Sequence, residues 1–196
     1  VSDSGGSLTV HTFGAYFGLM VSRVLHQPHT DKRKEQRDGG QQQELFAMVG
    51  TISLWIFWPS FTSATTVGHN AEPWAVLNTY FSLAASTLAT FVLSPVLSEE
   101  STPQMVQIQD ATLAGAAVMG MAGEMLVTPF GALIAGLLAG LIPPLGFRFL
   151  SPTLCSRLKT QDTCGVHNIH GLPGILGSLL GTLVAALATA DAYGGR

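Results

Sequence analysis

Asp162-Thr-Cys-Gly-Val-His-Asn-Ile-His170 ends on a histidine inside an apolar stretch, and the chain holds the same pattern a second time as Asp3-Ser-Gly-Gly-Ser-Leu-Thr-Val-His11. The two copies also agree at their fourth position (Gly6, Gly165) and in a β-branched residue before the histidine (Val10, Ile169). Each histidine is followed by about one membrane thickness of mostly apolar residues. A histidine inside a bilayer is costly, so it marks a functional site by default. Two of them in matching contexts point to two halves of one transport site.

Composition and charge placement say that the surroundings are a membrane. Of 196 residues, 47% are hydrophobic and 11% charged, against roughly 25% charged in a soluble domain. The 22 glycines suit helix packing in lipid, where small residues let backbones approach. All nine Lys and Arg fall at Arg23 to Arg37, at Arg148 to Lys159 and at Arg196, with none between Arg37 and Arg148. A soluble chain would not leave such a gap. Cys155 and Cys164 lie near one inner loop, where a reducing compartment disfavours a structural disulfide.

Six segments are apolar and long enough to span about 30 Å of hydrocarbon at 1.5 Å per residue: Ser4–Leu25, Leu45–Thr65, Trp74–Leu97, Met105–Gly123, Thr128–Leu150 and Gly165–Thr189. Pro143-Pro144 should kink or interrupt the fifth. The connection His26–Gln43 is polar and charged, without a helical pattern, and its His26 and His29 are assigned no site. The predicted fold is an all-α, polytopic transmembrane bundle. The positive-inside rule makes the Arg23–Arg37 and Arg148–Lys159 loops cytoplasmic. The first span then runs inward and the sixth outward, so the two motifs enter the bilayer from opposite faces, as inverted repeats do.

On helices, Asp3 and Asp162 would each lie roughly 12 Å along the axis from their histidines, where a carboxylate can accept free N–H groups at a helix start. His11 and His170, if they meet, can each donate or accept one hydrogen bond. A neutral pair can hold a small polar solute without trapping it as a fixed charge would. His167, one turn before His170, reads as a vestibule or packing residue. A zinc site on Cys164 and His170 is disfavoured, since on one helix they point about 120° apart. Trp58 and Trp74 read as interfacial aromatics. Pro59 should loosen the second span and let Phe61 turn into a pore mouth. Asp110 and Glu124 read as caps or solvated residues. Gly136-x-x-x-Gly140 and Gly177-x-x-x-Gly181 permit close helix approach.

His11-Thr-Phe-Gly-Ala-Tyr-Phe-Gly-Leu19, Trp58-Pro-Ser-Phe61, Leu77-Asn-Thr-Tyr80 and Asp162 through Gly174 together resemble the Rh glycoprotein branch of the ammonium transporter family over essentially the whole chain. Glu124-Met, Thr128-Pro-Phe-Gly131 and Gly165-Val-His-Asn168 look most like the non-erythroid type B members. The resemblance implies a homotrimer with one pore per subunit in the plasma membrane, basolateral for type B, and a cytoskeletal anchor in the full-length protein. It implies that His11 and His170 are the paired pore histidines, that Phe61 is one of two stacked gate residues, and that Asp3 and Asp162 are buried acids supporting the vestibules. It also implies that residues 1–196 are part of a single transmembrane domain, with early spans, the second gate residue, the glycosylated outer loop of this glycoprotein family and a final span lying elsewhere. No Asn-x-Ser/Thr sequon occurs here. Thr62 follows Phe61 where the family usually has Asn.

The function expected is therefore passage of NH3, recruited as NH4+, through an apolar pore with no cofactor, no metal and no nucleic-acid partner. Rival readings are a channel for CO2, methylamine or another small neutral solute, a non-transporting assembly subunit, and a membrane metal hydrolase on Cys164, His167 and His170. The last needs an acidic ligand on the same face, and the sequence offers none. Liposomes carrying residues 1–196 alone are expected to take up ammonium no faster than empty ones.

Overall fold

The computed structural model describes residues 3–25, 41–66, 72–98, 101, 105–125, 128–158 and 160–188. Most of the His26–Gln43 connection, with His26, His29 and its cluster of basic residues, lies outside these; Gln41–Gln43 belong to a helix. Among the described residues every regular element is helical. In chain order these are a π-helical segment Ser7–Thr12 leading into α1 (Phe13–Val24), α2 (Gln41–Ser63), α3 (Glu72–Leu97), α4 (Met105–Ala117) and the short α5 (Met119–Ala122). Then come α6 (Pro129–Leu145), a second π-helical segment Gly146–Leu150, α7 (Ser151–Leu158), a third π-helical segment His167–Gly171 and α8 (Leu172–Leu187).

Glu44–Ser63, Glu72–Leu97, Pro129–Leu158 and His167–Leu187 are long and apolar enough to cross a bilayer. The remaining two predicted spans are composite helices over 7–24 and 105–122. The prolines did not act as expected. Pro59 sits inside an unbroken α2, and Pro143-Pro144 are carried within α6. A proline removes one N–H from the ladder and crowds the preceding turn. Here the backbone widens into the π-helical turn Gly146–Leu150 directly after the pair, so the chain continues instead of breaking.

The core is made of small residues. Ala114, Val118, Met119, Ala132, Ala135 and Ala139 form one buried cluster. A Cβ on Gly140 would overlap the Ser86 carbonyl oxygen, and one on Gly136 would lie 2.7 Å from the Ser82 Cα. At these contacts α6 rests directly on the backbone of α3. Hydroxyls close the seam: Thr90 Oγ1 donates to the Gly140 carbonyl at 2.7 Å, and Ser82 Oγ to the Gly115 carbonyl at 2.6 Å. Lipid tails are as apolar as leucine, so close packing and hydrogen bonds between helices, not burial of oil from water, hold such a seam.

Outside this core the apolar residues face outward. On α1, Ala15 and Leu19 are buried while Phe13, Phe17, Met20 and Val24 are exposed, and α2 exposes Phe46, Val49 and Phe57. Four-residue spacing of Ala15 and Leu19 gives α1 one inner stripe. Gly140→Leu is expected to destabilise the bundle by about 1–3 kcal/mol through overpacking. Gly18→Ala, where an added Cβ meets nothing within 4 Å, should leave stability within about 0.5 kcal/mol. Thermal unfolding in detergent micelles checks both.

Candidate functional site

Each Asp–His motif folds into the same local device. Gly6 and Gly165 take the left-handed conformation (φ 77° and 69°), which only glycine adopts without strain, and each turns the chain into its π-helical segment. The carboxylate three residues earlier closes the turn. Asp3 Oδ2 accepts the N–H groups of Leu8 (3.1 Å) and Thr9 (2.8 Å) and the Thr9 hydroxyl (2.8 Å). Asp162 accepts the N–H groups of Val166 (2.8 Å) and His167 (3.1 Å). These are N–H groups that a helix start leaves without an internal partner. The π-helical form, absent from the sequence reading, recurs at functional sites because its wide turn re-aims a side chain.

The two segments cross through glycines. A Cβ on Gly174 would overlap the Ser7 carbonyl oxygen and the Thr12 hydroxyl, and one on Gly177 would overlap the Val118 carbonyl oxygen. Ser7 is fully buried. Its hydroxyl donates to the Ala117 carbonyl (2.7 Å) and accepts the Met121 N–H (3.0 Å). In a continuous helix that carbonyl and that N–H would bond each other, so Ser7 occupies one rung where α4 gives way to α5. The second motif has a counterpart. Asn168 is fully buried, donates to Ser151 Oγ at 2.7 Å, and sets its side-chain oxygen against Gly146, at the second π-helical segment.

This scaffold brings His11 and His170 together. Their ring centroids are 5.2 Å apart and the planes differ by 6°. Trp58 stacks beside them, 5.6 Å from His11 and 6.2 Å from His170. Phe61 stands edge-on, 6.4 Å from His11 and 6.3 Å from Trp58. His11 Nε2, His170 Nδ1 and Trp58 Nε1 are buried with no hydrogen-bond partner among the described residues. A cavity of about 280 Å³ lined by His11, Leu54, Phe57, Trp58 and Phe61 adjoins the pair. It is almost wholly apolar and reaches the pair at the His11 ring, a lining that suits a small solute needing few hydrogen bonds.

Two expectations are corrected. Trp58 is not an interfacial residue: it lies three positions before Phe61 on one face of α2 and packs on the histidine pair, a neighbour relation its spacing already allowed. Thr62 is buried and its hydroxyl donates back to the Trp58 carbonyl at 3.1 Å. Asp110 is no helix cap either. It lies on the sixth position of α4, half-buried, and with Gln107, Asp162, Thr163 and Cys164 it lines a cavity of about 450 Å³. A second cavity, about 280 Å³, shares Asp162, Thr163 and Cys164 and reaches Gly18 and Ser22. His167 stands between these cavities and the pair in sequence, with its ring 5.7 Å from Tyr16.

Comparison with known proteins gives the family and the fold. The sequence profile of the Ammonium Transporter Family matches residues 1–195. The ammonium transporter Rh type B of Tetraodon nigroviridis is 58% identical over 192 residues, covering 98% of this chain and 43% of that protein. The human ammonium transporter Rh type B is 57% identical over 194 residues, covering 99% of this chain and 42% of that protein. The solved structure of Nitrosomonas europaea Rh50, described with the conduction mechanism of the Rhesus protein family of channels, superposes with a TM-score of 0.82 at 41% identity. It covers 93% of this chain and 47% of the Rh50 chain. This chain thus spans less than half the length of the relatives it matches.

Asp162→Ala removes the acceptor for two helix-start N–H groups and is expected to cost about 1 kcal/mol, the usual scale of a lost cap. Faster amide hydrogen exchange at Val166 and His167 is the expected local sign; unchanged exchange there would show that the carboxylate does not hold the turn.

Proposed function

The chain belongs to the ammonium transporter family, and from the geometry of its histidine pair we propose that it builds part of an ammonia-conducting pore. The observation that carries this reading is the stacked pair of buried His11 and half-buried His170, with the ring atoms His11 Nε2 and His170 Nδ1 left without a hydrogen-bond partner among the described residues. A buried polar atom without a partner costs about 1–3 kcal/mol. A fold that keeps several together is suited to a transient partner. The relatives matched are named as transporters and a channel, which supports a transport role over an enzymatic one.

In the proposed mechanism, NH4+ reaches the outer mouth and gives its proton to water near Phe61, and that proton either returns to the outer solution or follows through the histidine rings. Taking an ammonium ion into an apolar pore is strongly unfavourable, and losing the proton removes that charge cost. Neutral NH3 then passes His11 and His170. Its lone pair accepts from an imidazole N–H, and its own N–H groups donate to a bare ring nitrogen, so neither ring needs to carry charge. Beyond the pair the inner cavities, lined by Asp110 and Asp162, favour regaining the proton. Phe61 and Trp58 keep water from following, and Asp3 and Asp162 hold the two π-helical turns that aim the histidines.

The basic loops Arg23–Arg37 and Arg148–Lys159 make the inner side cytoplasmic in this reading. Residues 1–196 belong to a single transmembrane domain, and the outward apolar faces of α1 and α2 meet lipid or further helices of the same domain. Assembly as a homotrimer in the plasma membrane follows from the family resemblance.

The test is ammonia-driven internal pH change in liposomes holding the full-length protein, with membrane current recorded. His11→Ala or His170→Ala is expected to slow alkalinisation about tenfold or more, one hydrogen bond's worth for each ring. Flux without current fits an electroneutral pore, and current in step with flux fits a proton passing between the rings. A full-length protein no faster than empty liposomes would overturn the reading in favour of an assembly subunit. CO2 flux retained in the variants would mark the histidines as specific to ammonia.

A further inference from the structure

The proposed pore makes no use of a third, half-buried imidazole. His167 lies three residues before His170 on the same π-helical segment, and Tyr16 lies five residues after His11 on α1. Because the two motifs run in opposite directions through the bilayer, both residues fall on the inner side of the pair. The structure brings them together: the Tyr16 ring stands edge-on to His167, centroids 5.7 Å apart at 67°. Tyr16 also covers Gly171, where an added Cβ would lie 3.3 Å from Tyr16 Cζ. The site therefore has two aromatic–imidazole layers, Phe61 and Trp58 with His11 and His170, then Tyr16 with His167.

The inner layer has the same chemical character as the outer one. His167 is half-buried, and its Nδ1 is buried with no hydrogen-bond partner among the described residues. Buried polar atoms pair with protein or ordered water, so this nitrogen is open to a small polar partner. The backbone N–H of His167 is held by the Asp162 carboxylate at 3.1 Å, which fixes the start of the turn carrying the ring. Asp162 and its neighbours Thr163 and Cys164 in turn line both inner cavities. Through the Asp162 carboxylate the backbone of His167 is thus tied to a residue that lines both inner cavities.

We propose that His167 is a third hydrogen-bonding station for the small neutral amine, taking it from His170 and releasing it beside Asp162, with Tyr16 as the wall that confines the handover. This rests on the pore reading above. Without such a station, the Tyr16 hydroxyl would be left to meet a solute leaving His170. Tyr16 sets the width of that step, so it discriminates by size between ammonia and methylated amines.

The experiment uses the full-length protein in liposomes, with ammonia and methylammonium as separate probes. His167→Phe and His167→Leu fill the site without a ring nitrogen and are expected to lower ammonia flux about tenfold, the weight of one hydrogen bond. His167→Gln, which keeps a donor and an acceptor, should restore flux to within about threefold of the parent. Tyr16→Ala should raise the methylammonium-to-ammonia ratio. Should His167→Phe fail to give a monodisperse protein, the Leu and Gln pair decides. Parent-like flux in His167→Leu, or equal loss in Leu and Gln variants that fold, overturns the station. A parent no faster than empty liposomes overturns the pore itself, a separate outcome.

Discussion

The hydroxyl of Ser7 takes the place of one backbone rung between α4 and α5, and the placement of the first histidine depends on that substitution. A helix interrupted at this depth would leave a carbonyl and an N–H unpaired in an apolar core, at a cost of several kcal/mol. Ser7 satisfies both and in doing so pins its own segment across the break. The N–H of Gly5 adds a 2.6 Å bond to the Gly120 carbonyl. The close approach needs glycine on both sides, since a Cβ at Gly5 would come within 2.6 Å of the Gly120 Cα. From this crossing the chain turns at Gly6 and delivers His11 five residues later.

The second histidine is placed by related physics with different residues. Asn168 reaches Ser151 and abuts Gly146, where the α6 ladder has widened after two prolines. Each pore segment thus leans a buried polar side chain on an irregular stretch of a neighbouring helix. Irregular backbone is tolerated inside a membrane protein only where protein partners re-satisfy it. Those partners are also what fix the ring positions. The α3–α4–α6 seam of Gly, Ala, Ser and Thr forms the rigid platform behind both crossings, because packed small residues leave few rotamers to rearrange.

The site holds a set of groups that stability alone would not select. His11 Nε2, His170 Nδ1, His167 Nδ1 and Trp58 Nε1 are buried atoms without partners among the described residues, and a buried atom left so costs about 1–3 kcal/mol. Aromatic stacking offsets part of this, at about 0.5–1.5 kcal/mol per pair. The result is a row of hydrogen-bonding atoms between apolar walls, where local consistency gives way to function.

The sequence by itself determined the membrane environment, the all-helical fold, the close approach at Gly136 and Gly140, and the duplicated Asp–His motif. Charge-free length, glycine spacing and repetition are properties of a string, and lipid permits few other architectures. Helix boundaries came within a few residues, with α2 ending at Ser63 against a predicted Thr65. Only the tertiary structure decided that the two histidines stack at 5.2 Å, since 159 residues of chain separate them and no local pattern encodes that distance. It also decided that Trp58 belongs to the pair, that Pro143-Pro144 widen a helix without breaking it, and that Asp110 lines the inner cavity near Asp162. Ser7 and Asn168 gave no signal at all, because a lone serine or asparagine reads the same whether it faces lipid, a loop or another helix's backbone. Their roles exist only in the crossing, where a hydroxyl or amide meets backbone groups from elsewhere in the chain.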